Sequence, residues 1–217
     1  MIFKTALKVK SGFTLLEVAA VVAIIAVLGA VVTPMVIDKI AESRNLAVRD
    51  DCKKIGLAIT AFYKDTGKWP ASSAGTATYY AILRSGNETG ALGAAAHDPR
   101  GATAISNTHG PWPTGPVDLL DNHLVTDSPG GTDNVYSQTR KLNWRGPYSE
   151  SFNKRDPWGS NYLVYIKAMH TATTGTPKEY GWIISAGPNV TLQTGIKDDK
   201  LQGDDIGISF YSAGTGR

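Results

Sequence analysis

The chain has 217 residues, 42% hydrophobic, 19% charged and 9% aromatic, a balance that excludes both a polar disordered polymer and a multi-span membrane protein. Its single cysteine, Cys52, excludes an internal disulfide framework and a thiolate zinc cluster, since either requires a second sulfur. The net charge of +3 belongs to the N-terminus: Lys4, Lys8 and Lys10 account for it, the remainder is neutral, and no basic cluster argues for nucleic-acid binding.

Residues 13–37, FTLLEVAAVVAIIAVLGAVVTPMVI, carry only Thr14, Glu17 and Thr33 as polar side chains. As a helix this segment is about 37 Å long, enough to cross a bilayer. The lysines before it leave residues 1–12 in the cytoplasm and place everything after it across the membrane. A cleaved secretory signal fits less well, because Gly29 and Ala30 offer no clean small-x-small site and a signal core does not carry an acid. Glu17 is therefore the informative residue. A carboxylate in a membrane span costs about 2.5–3.5 kcal/mol on insertion scales and calls for a partner. No Lys or Arg lies between residues 13 and 37.

A cut between Gly12 and Phe13 would create an α-amino group one helical turn from Glu17, on the same chain or a neighbouring subunit. The run Gly12, Phe13, Thr14, Leu15, Leu16, Glu17, after a short basic leader and before Pro34, closely resembles the class III leader of type IV pilins and type II secretion pseudopilins. The resemblance implies removal of residues 1–12 by a prepilin peptidase, N-methylation of Phe13, and packing of the Pro34-containing helix into a filament core. It makes Glu17 the assembly residue, pairing with the amine of an adjacent Phe13. The partners implied are further copies of the chain in a helical filament, minor pilins or pseudopilins, an inner-membrane assembly platform and a cytoplasmic ATPase.

Residues 38–70 read as the continuation of that helix in amphipathic form. Ile37, Ile40, Ala47, Val48, Cys52, Ile55, Ile59 and Phe62 recur mostly at helical spacing, and Gly67 and Pro70 end the segment. Cys52 falls on the apolar side, as a small core residue or, alternatively, a reactive thiol. Residues 71–142 are rich in Gly, Ala, Ser, Thr and Asn, with short helices predicted at 78–84 and 117–125. His97, His109 and His123 lack the close pairing that prepares a metal site and are expected to be ordinary loop residues. From 143 to 217 the texture is that of strands, in NYLVYIK, KEYGWIIS and DIGISFY. They predict a three-stranded antiparallel sheet covered on its apolar face by the 38–66 helix, an α+β fold.

The C-terminal part is similar to the major pseudopilin of type II secretion. Gly67, Trp69 and Pro70, Gly146, Pro147 and Tyr148, Asp156, Pro157, Trp158 and Gly159 with Tyr162, Ser185, Ala186 and Gly187, and Asp204, Asp205 and Ile206 carry the likeness. Residues 71–142 depart from it as an insertion. In that family the loop between the last two strands binds calcium, and the resemblance names Asn189, Asp198, Asp199, Asp204 and Asp205 as the side chains able to do so here. Solvated turn carboxylates are the alternative. The Asn-x-Thr triplets at Asn87 and Asn189 carry little weight.

No phosphate loop, HExxH helix, nucleophile elbow or paired-cysteine motif occurs, so no enzyme is expected; the rival is a membrane-tethered hydrolase using His97, Asp98 and His109. The expected protein is a structural subunit of a secretion pseudopilus, single-pass in the inner membrane with a periplasmic head before it enters a filament. A type IV pilin for adhesion, motility or DNA uptake is the alternative, with Tyr79, Tyr80 and Trp112 then facing the surface.

Overall fold

A computed structural model describes residues 12–72, 79–86, 112, 117–170 and 179–213. Contacts divide the chain into Met1–Ser43 and Arg44–Arg217, a boundary that falls inside the first helix. That helix, α1, runs Leu15–Thr66, 52 residues, with Pro34 inside it. A proline removes one backbone donor and crowds the preceding turn.

In the second unit the C-terminal part of α1 is a core helix. Val48, Cys52, Ile55, Ile59, Phe62 and Thr66 are all buried, and their alternating steps of four and three residues trace one helical stripe. Ile37, Ile40 and Ala47, expected on that stripe, are exposed. The first two precede the unit boundary, and Ala47 is one residue, about 100° of helical turn, off the buried line. Phe62 anchors the packing edge-on, its ring 4.7 Å from Tyr136 and 5.5 Å from Tyr148.

The strands are β1 (Ile82–Arg84), β2 (Val117–Leu119), β3 (Leu163–Tyr165), β4 (Glu179–Ser185) and β5 (Ile206–Ala213), in the order β2-β1-β3-β4-β5. The three strands predicted from the C-terminal sequence pair antiparallel, Val164 opposite Ile183 and Ile183 opposite Ile208. Two more strands come from residues 71–142. The helices predicted there are corrected: the 78–84 segment holds β1, paired antiparallel with β3, and 117–125 splits into β2 and a short helix α2 (Leu120–Leu124). Since β1 and β2 run parallel, the sheet is mixed. Ladder bonds and burial of Ile82, Leu83 and Arg84 between neighbours override local helical preference there.

The sheet is covered on both faces. Tyr162, Val164, Ile166, Leu83, Ile183 and Ile206 meet the α1 stripe. Leu163, Tyr165, Ile82, Trp182 and Ile184 build a second core closed by Trp112, Leu192 and Ile196. Trp112 is thus a core residue and not a surface one; its indole N–H donates to the Thr194 carbonyl at 2.8 Å. Of its expected companions, Tyr79 is exposed and Tyr80 half-buried.

The segment around α2 is tied in by a buried polar network. His123, on α2, is fully buried, which corrects its reading as a loop residue. Its Nδ1 lies 2.7 Å from the Tyr136 hydroxyl, and its Nε2 lies 3.0 Å from Asp118 Oδ2, off the line of an ideal N–H···O bond. The Gly130 N–H donates to the same Asp118 oxygen at 2.8 Å. Burial pushes His123 below its ordinary value, against the pull of Asp118 and Asp127, so the ring is neutral at pH 7. His97 and His109 lie outside the described residues.

Candidate functional site

The N-terminal segment is built around one helix start. Thr14 is its N-cap: the Thr14 N–H and Oγ1–H both donate to Glu17 Oε2 at 3.1 Å, and the Glu17 N–H donates back to Thr14 Oγ1 at 3.2 Å. This is a capping box, in which two otherwise orphaned backbone donors are satisfied reciprocally. Sequence reasoning assigned Glu17 an amine partner and missed Thr14, although the T-x-x-E spacing before an apolar run is the signal for it. Glu17 Oε1 accepts no bond among the described residues.

Phe13 precedes the cap and is exposed. Gly12 is exposed too, and a Cβ placed on it would meet nothing within 4 Å, so no crowding within the chain requires glycine there. The remainder of the expected leader, residues 1–11, lies outside the described residues.

From Phe13 to Ile37, all fifteen large apolar side chains are exposed. An 18-residue window within α1 has mean hydropathy 2.8 and no buried residue. Burying one Val, Leu or Ile is worth about 1.5–3 kcal/mol. Fifteen of them therefore outweigh the net stability of a typical domain, about 5–15 kcal/mol. Such a surface favours an apolar surrounding over water. Pro34 lies in this stretch, preceded by Thr33, whose hydroxyl donates to the Gly29 carbonyl at 2.7 Å.

Four of the residues carrying the C-terminal resemblance, Asp156, Trp158, Ser185 and Gly187, meet in a hydrogen-bonded knot. Asp156 Oδ1 accepts from the backbone N–H of Trp158 at 3.0 Å and Ser160 at 2.8 Å, while Oδ2 accepts from the Ser185 hydroxyl at 2.5 Å. Ser185 Oγ in turn accepts from the Gly187 N–H at 3.2 Å. Gly187 has φ of +65°, and a Cβ there would sit 2.1 Å from the Asp204 carbonyl oxygen, so only glycine turns the chain out of β4 at this point. A second tie reaches α1, where Asp51 Oδ2 accepts from the Tyr162 hydroxyl at 2.7 Å and from Asn153 Nδ2 at 2.8 Å. Cys52 beside it is buried, and its thiol is pushed up to about 12 by that burial and by the charges of Asp51 and Asp156. It is a core residue with no thiolate at neutral pH.

In the loop between β4 and β5, the five expected calcium ligands play different parts. Asp198 Oδ2 accepts from the Gly195 N–H at 2.6 Å, and Asn189 Oδ1 from the Thr191 N–H at 2.7 Å. Asp199 is exposed. Asp205 Oδ2 accepts from the N–H groups of Gln193 and Thr194 at 2.8 and 2.6 Å, and Asp204 Oδ2 from Asn189 N–H at 2.9 Å. Asp204 Oδ1 and Asp205 Oδ1 are buried and have no hydrogen-bond partner among the described residues. Burial pushes the Asp205 carboxyl up to about 6. Among the described residues no three acidic, His or Cys side chains converge as a metal site. The fit to calcium thus rests on the two unpartnered oxygens of Asp204 and Asp205.

Residues 7–33 match the prokaryotic N-terminal methylation motif, which takes in the end of the leader, Phe13, the capping box and most of the apolar stretch. No curated protein and no solved structure matches the chain. The methylation motif and a long apolar helix continued onto a small mixed sheet support a type IV pilin-like chain, and among the described residues one helix, near the N-terminus, is long and apolar enough to cross a membrane.

Proposed function

We propose that the chain is a structural subunit of a type II secretion pseudopilus, held in the inner membrane by residues 13–37 with its head in the periplasm, and then drawn into a helical filament. The observation that carries the filament reading is an apolar stretch, residues 13–37, with every large apolar side chain exposed, most of it inside the matched methylation motif. Prepilin peptidase would cut after Gly12 and Phe13 would be methylated. In the filament the helix exchanges lipid for the helices of other copies, so little apolar burial is lost on leaving the bilayer. Glu17 Oε1, unused by the capping box, is the atom available to the α-amino group of a neighbouring Phe13. An unpaired charge in that dry core costs several kcal/mol, which would set the register between subunits. The platform and ATPase would supply the work of extraction.

What favours a secretion pseudopilus over a pilus is the head. Asp156 and Ser185, both among the residues that resemble the major pseudopilin, sit in one knot. The test is a strain lacking the chain. Exported proteins should accumulate in the periplasm while surface pili, twitching and DNA uptake persist; loss of pili with secretion intact would assign the chain to a type IV pilus.

Calcium belongs to the same reading. Bound at Asp204 and Asp205 it would neutralise the buried carboxylates and fasten the loop to the sheet. The full chain in neutral detergent should melt at a higher temperature with about 1 mM calcium, within the range typical of extracellular modules. An unchanged melting temperature would remove calcium from the account.

A further inference from the structure

A cavity of about 410 Å³ opens between the C-terminal end of α1 and the loop 135–143. Its lining includes Lys68, Arg140 and Lys141 and contains no Asp or Glu. None of the three cations has an ion-pair partner among the described residues. Cavities lined by one sign of charge focus the field and concentrate counter-ions of the other.

The cavity is built on a braced frame. The Trp144 N–H donates to the Ser137 carbonyl at 2.8 Å and closes the loop on itself. Inside that ring the Arg140 N–H donates to Ser137 Oγ at 3.3 Å, and Asn143 Nδ2 to the Gln138 carbonyl at 3.1 Å. Gly67, with φ of +66°, lets α1 end against this loop: a Cβ on it would lie 2.9 Å from Leu142 Cδ1. On the remaining side the Ser72 N–H donates to the Tyr136 hydroxyl at 3.3 Å. Two donors have no partner among the described residues. Ser137 Oγ accepts from Arg140 and keeps its own proton to give, and the Ser72 hydroxyl makes no bond among the described residues.

We propose that this cavity binds a small, multiply charged anion bearing two or more carboxylate or phosphate groups. Lys68, Arg140 and Lys141 would supply charge, and the hydroxyls of Ser72 and Ser137 would orient it. Arg offers a planar fork for either group, whereas Lys acts as a point charge. The volume lies within the ordinary span of small-ligand sites, about 300–1,000 Å³. A concave, hydrogen-bond-braced cavity favours such a ligand over a protein partner, which would more commonly meet a flatter patch. The site is independent of the filament reading, since it uses only residues of the Arg44–Arg217 unit.

The test is calorimetric titration of the full chain in neutral detergent with citrate and with pyrophosphate, and with uncharged sorbitol as control. The expected result is saturable one-to-one binding of at least one anion and none of sorbitol. The tighter of the two identifies the carboxylate or the phosphate class. Arg140→Ala/Lys141→Ala should weaken binding at least tenfold with an unchanged melting temperature, and Lys68→Ala severalfold. Lys53→Ala/Lys54→Ala, which removes two exposed cations outside the cavity, should leave it unaltered. Binding of neither anion, or equal loss in the two double variants, would overturn the proposal. So would impaired filament assembly by Arg140→Ala/Lys141→Ala with no anion bound to the dispersed chain, which would assign the cations to contacts between subunits.

Discussion

The two portions of α1 obey opposite rules. Between residues 15 and 43 no side chain is buried, although as far as residue 37 the sequence is almost wholly apolar. Between 44 and 66 the sequence is mixed and charged, yet eight residues are buried against the sheet and its loops. One helix thus runs from a stretch that packs against nothing among the described residues into one that packs in the chain's own core. Helicity alone says nothing about what a helix packs against; the placement of polar residues around it does.

Single substitutions should separate the two regimes. The largest effect is expected at Phe62, fully buried and in edge contact with Tyr136 and Tyr148. Phe62→Ala should cost about 3–5 kcal/mol of head stability. Leu28→Ala, a comparable deletion in the exposed stretch, should leave denaturant unfolding of the head unchanged when the full chain is followed in detergent. Equal losses would mean that residues 13–37 are part of the head's core after all.

Glu17 sharpens the comparison at its N-terminal end. Glu17→Gln keeps a side chain able to complete the capping box but removes the charge. If the free carboxylate oxygen serves an amine in the filament, Glu17→Gln and Glu17→Ala should both be processed and both fail to assemble. Filaments formed by Glu17→Gln alone would reduce Glu17 to a helix cap. Electron microscopy of sheared material, with the processed mass measured alongside, distinguishes the outcomes.

A smaller effect is expected at His123. Its folded-state value is depressed by burial, while the unfolded chain titrates near the ordinary 6.5. The unfolded state therefore takes up the proton first, and head stability should fall as pH drops below about 6.5, with Asp118 and Asp127 partly offsetting the loss. His123→Gln should flatten that part of the profile, and an unchanged slope would place the titrating group elsewhere. The mildest prediction concerns Cys52, whose burial and raised value should leave it unmodified by iodoacetamide at pH 8 until the head is unfolded.

Much of this was legible in the sequence where one physical signal dominated. The apolar run, the acid within it and the alternation of Tyr162, Val164 and Ile166 each point one way, and the helix and the three C-terminal strands follow. The stripe from Val48 to Phe62 was readable too, though its beginning was not, because Ile37 and Ile40 belong to the exposed apolar stretch. The second core escaped, yet it had a signal: in YLVYI both alternating sets are apolar, as expected of a strand buried on two faces. Strands β1 and β2 had almost none. They are three residues each, and their conformation is decided by partners distant in sequence, Leu83 opposite Val164 and Ile82 opposite Val117. Gly12, Phe13 and Glu17 stand out in the sequence because they lie in one short run, which falls inside the matched methylation motif. Loop ligands were harder to read, since a carboxylate in a turn serves backbone N–H groups as readily as a metal, as Asp198 does.

The most direct measurement is the intact mass and N-terminal residue of the chain recovered from its native membrane or sheared from the cell surface. The account predicts a chain that begins at Phe13 and carries one added methyl group. A chain that retains residues 1–12, or one that begins near residue 30, would contradict it, the latter by removing Glu17 and most of the exposed apolar helix at once.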